Sequence, residues 1–115
     1  MKLLTHNMLT SPGNAKGFPL KIEAEKVEQV ETDFNAEFVA RMVAKLEWKA
    51  LLTAMRDIGV DTQLPIEVPD KYEEDEQFLK ALHHVLLEVE VMEGQLVCPE
   101  TGRKFPVKEG IPSMI

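Results

Sequence analysis

Three groups of residues have the side-chain types that chemistry uses: Cys98-Pro99-Glu100-Thr101-Gly102, His83-His84, and Glu73-Glu74-Asp75-Glu76. The first has the shape of a zinc knuckle, in which Cys-x-x-Cys-Gly turns a hairpin and offers two thiolates. Thr101 stands where the second thiolate belongs. Structural zinc takes four Cys/His ligands, Cys98 is the sole cysteine, and the loop from Ser11 to Lys16 supplies none. The ligand count fails, so Cys98 is expected as a small buried side chain in the turn. Neighbouring histidines on a helix diverge by about 100° and cannot chelate one ion together. His84 is expected to point away from the Leu82/Val85 stripe, with His83 at its flank, both at the surface or boundary. The acidic run suits the solvated first turn of a helix, where the backbone dipole favours negative charge. There is no glycine-rich phosphate loop, no G-x-S-x-G, no H-E-x-x-H and no evident acid/base pair. Nothing here nominates a catalyst.

The chain that must position these residues has 115 of them, 44% apolar, enough for one domain or a small domain carrying an inserted unit. One cysteine excludes an internal disulfide framework and fits a reducing compartment. Met1-Lys2-Leu3-Leu4-Thr5-His6-Asn7 turns polar too soon for a secretory signal, and no apolar run approaches membrane-spanning length. The expectation is a soluble intracellular protein. A net charge of -7, with acidic residues spread along the chain, disfavours autonomous nucleic-acid binding, which needs a basic face.

Met1 to Val30 reads as two strands around a loop. Leu3-Leu4 and Met8-Leu9 flank polar residues, Ser11-Pro12-Gly13-Asn14 is a turn cluster, and Leu20 to Glu25 alternates apolar and charged. The middle is helical. Asn35 is an N-cap, with Phe34 and Val39 at hydrophobic-staple positions. Phe38, Val39, Met42, Val43 and Leu46 make one stripe. Trp48, Leu51, Leu52, Met55 and Ile58 make another, out of phase by roughly 170° at 100° per residue. The pattern gives two short helices with a break near Leu46-Glu47, the second stopped by Gly59. Val60 to Lys71, with Pro65 and Pro69, is an irregular connector. A third helix, opened by the acidic run, buries Phe78, Leu79, Leu82, Val85 and Leu86. From Leu87 the pattern turns to strand alternation, and Gly94 is read as a turn into Gln95-Leu96-Val97-Cys98.

The expected class is α+β: β–β, three helices, then β–β–β, with sheet pieces from both chain ends joined into one small sheet. The apolar tail Gly110-Ile111-Pro112-Ser113-Met114-Ile115 reads as an edge strand, which proteins usually shield. It either covers the sheet's own core or pairs with another protein by strand addition.

The segments Met1 to Asn7, Gly17-Phe18-Pro19-Leu20, Phe38-Val39-Ala40-Arg41-Met42 with Glu47-Trp48, Phe78-Leu79 with His83-His84, and Cys98 to Pro106 through Gly110-Ile111-Pro112 recur in one order. Together they resemble the multifunctional methyltransferase subunit family of eukaryotes, small activators of tRNA, rRNA and release-factor methyltransferases. The resemblance spans essentially the whole chain. It implies a zinc-ribbon-like β domain from residues 1–32 and 89–115, and a three-helix domain inserted at 33–88. It implies no catalytic residue and no cofactor in this chain, S-adenosylmethionine being bound by the partner subunit. Some relatives carry a four-cysteine zinc site; Ser11 and Thr101 stand at two of those places, so zinc is not carried over. The implied partners are several Rossmann-fold methyltransferases, with nucleic acid reached only through them, in cytoplasm and nucleus. By position, the partner-facing surface is the N-terminal strand (Leu4, Thr5, Asn7), Phe18-Pro19-Leu20, and Gly110, Ile111, Pro112, Ser113 and Met114. The rival readings are a stand-alone RNA-binding ribbon domain, and a small enzyme using Cys98 or His83.

Overall fold

The computed structural model describes residues 1–8, 18–60, 62 and 64–113. In chain order these form α1 (Leu3–Asn7), β1 (Lys21–Gln29), α2 (Ala36–Val43), α3 (Trp48–Ile58), a 3₁₀ turn (Tyr72–Glu74), α4 (Glu76–His83) running into a π-helical turn (His84–Glu88), then β2 (Val89–Val97), β3 (Lys104–Lys108) and β4 (Ile111–Pro112). The four strands form one antiparallel sheet in the order β1-β2-β3-β4. β1 reaches its place through pairing with β2, some seventy residues later in the chain (Lys21 opposite Val97, Gln29 opposite Val89). One hydrophobic cluster joins the sheet to the helices, with Ile22, Val91, Leu96 and Phe105 packed together with Val39, Leu51, Leu82 and Leu86.

The helical reading holds where local chemistry dictates it. Asn35 caps α2 by accepting from the Phe38 backbone N–H, and the chain breaks between Val43 and Trp48. Gly59 ends α3 at a left-handed φ of 74°, the conformation that residue type favours. In α2 only Val39 and Val43 are buried, while Phe38 stays 38% exposed. Phe38 and Val39 lie about 100° apart on the helix, and in α2 the core takes the Val39 side while Phe38 faces outward. The acidic run is also more finely divided than expected. Glu73 and Glu74 belong to the 3₁₀ turn, and Asp75 is the N-cap of α4, accepting from Phe78 N–H at 3.1 Å. Asp75→Ala is expected to lower the unfolding free energy by about 1 kcal/mol, read by urea denaturation.

Three expectations are corrected. The first segment is not two strands: Leu3–Asn7 is a helix. Its buried residues are Leu3, His6 and Asn7. That is a spacing of i, i+3, i+4, which a helix turns to one side and a strand cannot. Leu9 and the Ser11-Pro12-Gly13-Asn14 turn lie outside the described residues. Gly94 is not a turn either. It lies inside β2, paired with Ala24 on one side and Val107 on the other, beside a bulge in β1 between Ala24 and Lys26. The hairpin turn falls at Cys98–Arg103 instead, closed by Cys98 N–H to Arg103 O (2.8 Å) and Gly102 N–H to Cys98 O (2.9 Å). Lastly, His83 is buried at 4% exposure rather than flanking the stripe.

Candidate partner-binding surface

One edge of the sheet is β4, the other β1. Glu109 and Gly110 both take positive φ (52° and 77°), the geometry of a type I′ hairpin turn, and they bring Ile111 opposite Lys108. Ser113 N–H donates to Pro106 O at 2.9 Å. By the alternation of an antiparallel ladder, Pro112 then faces the open side. A proline there offers a carbonyl and no donor, which blunts the edge. Ile111 is 69% exposed, Pro112 half-buried and Ser113 exposed. Met114 lies outside the described residues. Gly110 is wedged at the other side of the turn, donating to Met92 O at 3.0 Å and lying close to the Met1 backbone.

The second named segment behaves differently along its length. Leu20 is a core residue at 1% exposure, whereas Phe18 and Pro19, joined by a cis peptide bond, are half-buried at the surface. They form one wall of a cleft of about 310 Å³, with Glu47, Lys49, Ala50 and Thr53 opposite. Of the N-terminal residues, Thr5 is exposed and Leu4 half-buried, but Asn7 is turned inward. Its amide donates to Glu47 O at 3.0 Å and accepts from Glu47 N–H at 2.9 Å. Both backbone groups of Glu47 lose their partner in Asn7→Ala. We expect a loss of about 2–3 kcal/mol in unfolding free energy, measured by chemical denaturation.

These segments form a row rather than a patch. Leu20 leads into the Lys21 end of β1, which pairs with Val97 and thence with Lys104, while Ile111 sits at the Lys108 end of β3. The N-terminal stretch spans the gap. Met1 pairs with Val91 and abuts Gly110, and His6 reaches Leu20 O at 2.6 Å. Two extended residues and then a five-residue helix cover roughly 14 Å. Along this row the exposed groups include Ile111, Ser113, Thr5 and Met8, the last 51% exposed.

Sequence reasoning missed two features. A groove of about 850 Å³ runs along α2 to Tyr72, lined on its apolar side by Ala36, Phe38, Ala40 and Met42. The signal available for it was the adjacent pair Phe38-Val39. The second is the environment of the paired histidines. His83 Nε2 lies 3.0 Å from Thr32 Oγ1, and His84 Nδ1 lies 3.1 Å from Glu88 Oε1. Glu88 accepts Thr32 N–H at 2.9 Å, and that backbone bond holds its carboxyl below the usual range, with His84 adding to it. The cluster fastens the β1–α2 connector to the end of α4. Among the described residues no group of three or more His, Cys, Asp or Glu is placed to hold a metal ion. At the knuckle, Thr101 Oγ1 accepts the Arg103 N–H at 3.2 Å and Cys98 is buried. Among the described residues no helix is long and apolar enough to cross a membrane.

The family of Trm112p-like proteins matches residues 2–110. The chain belongs to this family. It is similar, at 55% identity, to the multifunctional methyltransferase subunit TRM112 homolog A of Arabidopsis thaliana, covering all of this chain and 95% of that one. It is 50% identical to the multifunctional methyltransferase subunit TRM112-like protein of Mus musculus, covering all of this chain and 94% of the relative. Among solved structures it resembles a chain of the E. cuniculi Mtq2-Trm112 complex responsible for methylation of the eRF1 translation termination factor. The TM-score there is 0.60 at 22% identity, over all of this chain and 95% of that one, a likeness of fold. The family match takes in α1 to β3 and stops just before β4, and the similar fold covers all of this chain.

Proposed function

We propose that this chain is the non-catalytic activating and stabilising subunit of S-adenosylmethionine-dependent methyltransferases that modify tRNA, rRNA and translation release factor. The observation that carries the reading is an exposed Ile111 on an open edge strand, in a chain whose relatives bear the name methyltransferase subunit. A bare edge and an apolar side chain suit strand addition, in which backbone bonds give affinity and side-chain pockets give tolerance. A strand added at β4 meets an acceptor at Pro112 and no donor beside it, so the incoming strand must donate there. Burial against the row from Ile111 through Leu4 and Thr5 to Phe18 and Pro19 supplies the apolar part.

In this reading the β unit of residues 1–32 and 89–115 is a zinc-ribbon-like fold with a degenerate metal site, and residues 33–88 are a helical insertion. S-adenosylmethionine and the catalytic groups belong to the partner, a Rossmann-fold enzyme. Several such enzymes use the same face in turn, in cytoplasm and nucleus, and nucleic acid is reached only through them. Coexpression with candidate methyltransferases is expected to give equimolar complexes and methyl transfer that needs this chain. Methyl transfer of undiminished rate by the enzymes alone, with no co-eluting chain, would overturn the reading.

A further inference from the structure

We propose that α1 is a bracket that sets the docking face, with His6 and Asn7 as positioning residues, and that partner binding depends on His6 staying neutral. This rests on the docking reading of Phe18 and Pro19 above. Those two residues belong to no helix or strand of their own. They are steered by the residues next in the chain: the Leu20 side chain in the core, Leu20 O held by His6, and Ile22 N–H held by Asp57 Oδ2 of α3 at 3.1 Å. The facing wall begins at Glu47, held at both backbone groups by Asn7. Neighbours on a helix point about 100° apart, so one short helix sends an arm to each wall. The separation of Phe18–Pro19 from the start of α3 is thus set by two side chains that lie beneath the surface.

One arm is chemically conditional. A carbonyl only accepts, so the Leu20 contact needs the proton on His6 Nε2. Nδ1 is then bare, buried, and without a partner among the described residues. A second proton would place a charge and an unmatched N–H in a site that is 1% exposed. Burial pushes the His6 pKa down; the Leu20 carbonyl and, less, the Asp57 carboxylate pull it up. Asp57 is the charged side chain acting on His6 among the described residues. Unfolded or released histidine titrates near pH 6.5, so below that value protons favour states in which His6 has left its site. The nearest such state frees the Phe18–Leu20 segment.

The test uses the complete chain and the release-factor methyltransferase of the same genome, the counterpart of Mtq2. His6→Gln keeps an N–H donor near the Nε2 position and does not titrate. Affinity is measured from about pH 7.5 to about pH 5.5, either side of the ordinary histidine value. Wild type is expected to lose about 10-fold more affinity than His6→Gln across that range, with the two within about 3-fold at the upper end. Amide exchange around Phe18 and Leu20 in the free chain should quicken on acidification in wild type and not in His6→Gln. His6→Gln tracking wild type in both readouts overturns the bracket. Should Ile111→Asp bind like wild type, the docking reading falls, while the amide exchange still decides the bracket.

Discussion

Ile111→Asp is expected to leave the isolated chain folded and to remove methyltransferase binding. Ile111 is 69% exposed on a two-residue edge strand, so little apolar contact is lost within the free protein. Surface changes of that kind usually cost within about 0.5 kcal/mol. In the proposed docking mode the same position becomes dry. The substitution removes the burial of an isoleucine, worth about 1.5–3 kcal/mol, and strands a carboxylate whose desolvation costs several more. The sum exceeds about 3 kcal/mol, a loss of more than about 100-fold in affinity. Ile111→Val, which keeps shape and polarity, should lose less than about 10-fold. Paired measurements decide the matter: a melting temperature for the fold and titration calorimetry with a coexpressed enzyme for the interface. Unchanged affinity in Ile111→Asp would place the docking surface elsewhere.

Gly94→Ala is expected to be the most damaging single methyl group in the chain. Gly94 sits in the middle of β2 between two paired strands, at φ 151°, and a Cβ there would run into the Glu23 carbonyl oxygen and within 3.0 Å of Ala24 Cα. Both obstacles are backbone, so no side chain can swing aside. The bulge in β1 beside Ala24 would have to move, and β1 with it, against the Ile22 and Leu20 core. We expect a loss of about 3 kcal/mol or more in unfolding free energy, out of a total of about 5–15 for a domain this size. Gly102→Ala is the contrast. Gly102 has φ 75° but open space where the Cβ would stand, so only the backbone preference is lost, about 1 kcal/mol. Urea denaturation of the pair separates steric collision from conformational preference; equal losses would remove the collision argument.

The helices of the middle segment, α2 to α4, were legible because their signals are local. Asn35 and Gly59 act within one turn of themselves, and the phase change between the Val39/Val43 and Leu51/Met55 stripes is a property of neighbouring residues. The open edge at Ile111 was legible for the same reason, as an apolar residue among turn formers at the end of a strand pattern. The candidate surface was legible only in part. Leu20 and Asn7 stand in the named segments but face inward, because depth beneath a surface is decided by packing from distant parts of the chain: His6 for one, Glu47 for the other.

By itself the sequence determined the α+β class, the broken helical middle and the family to which the chain belongs. Only the tertiary structure decided that Leu3–Asn7 coils rather than extends, that Gly94 passes straight through β2, and that His83 is buried against Thr32. Each of those depends on partners fourteen to seventy residues away, and five residues are too few to hold a helix or strand against water. Their conformation is therefore set by the surface they join: α1 by the core that takes Leu3 and the carbonyl that takes His6, Gly94 by the Glu23 backbone that leaves no room for a side chain.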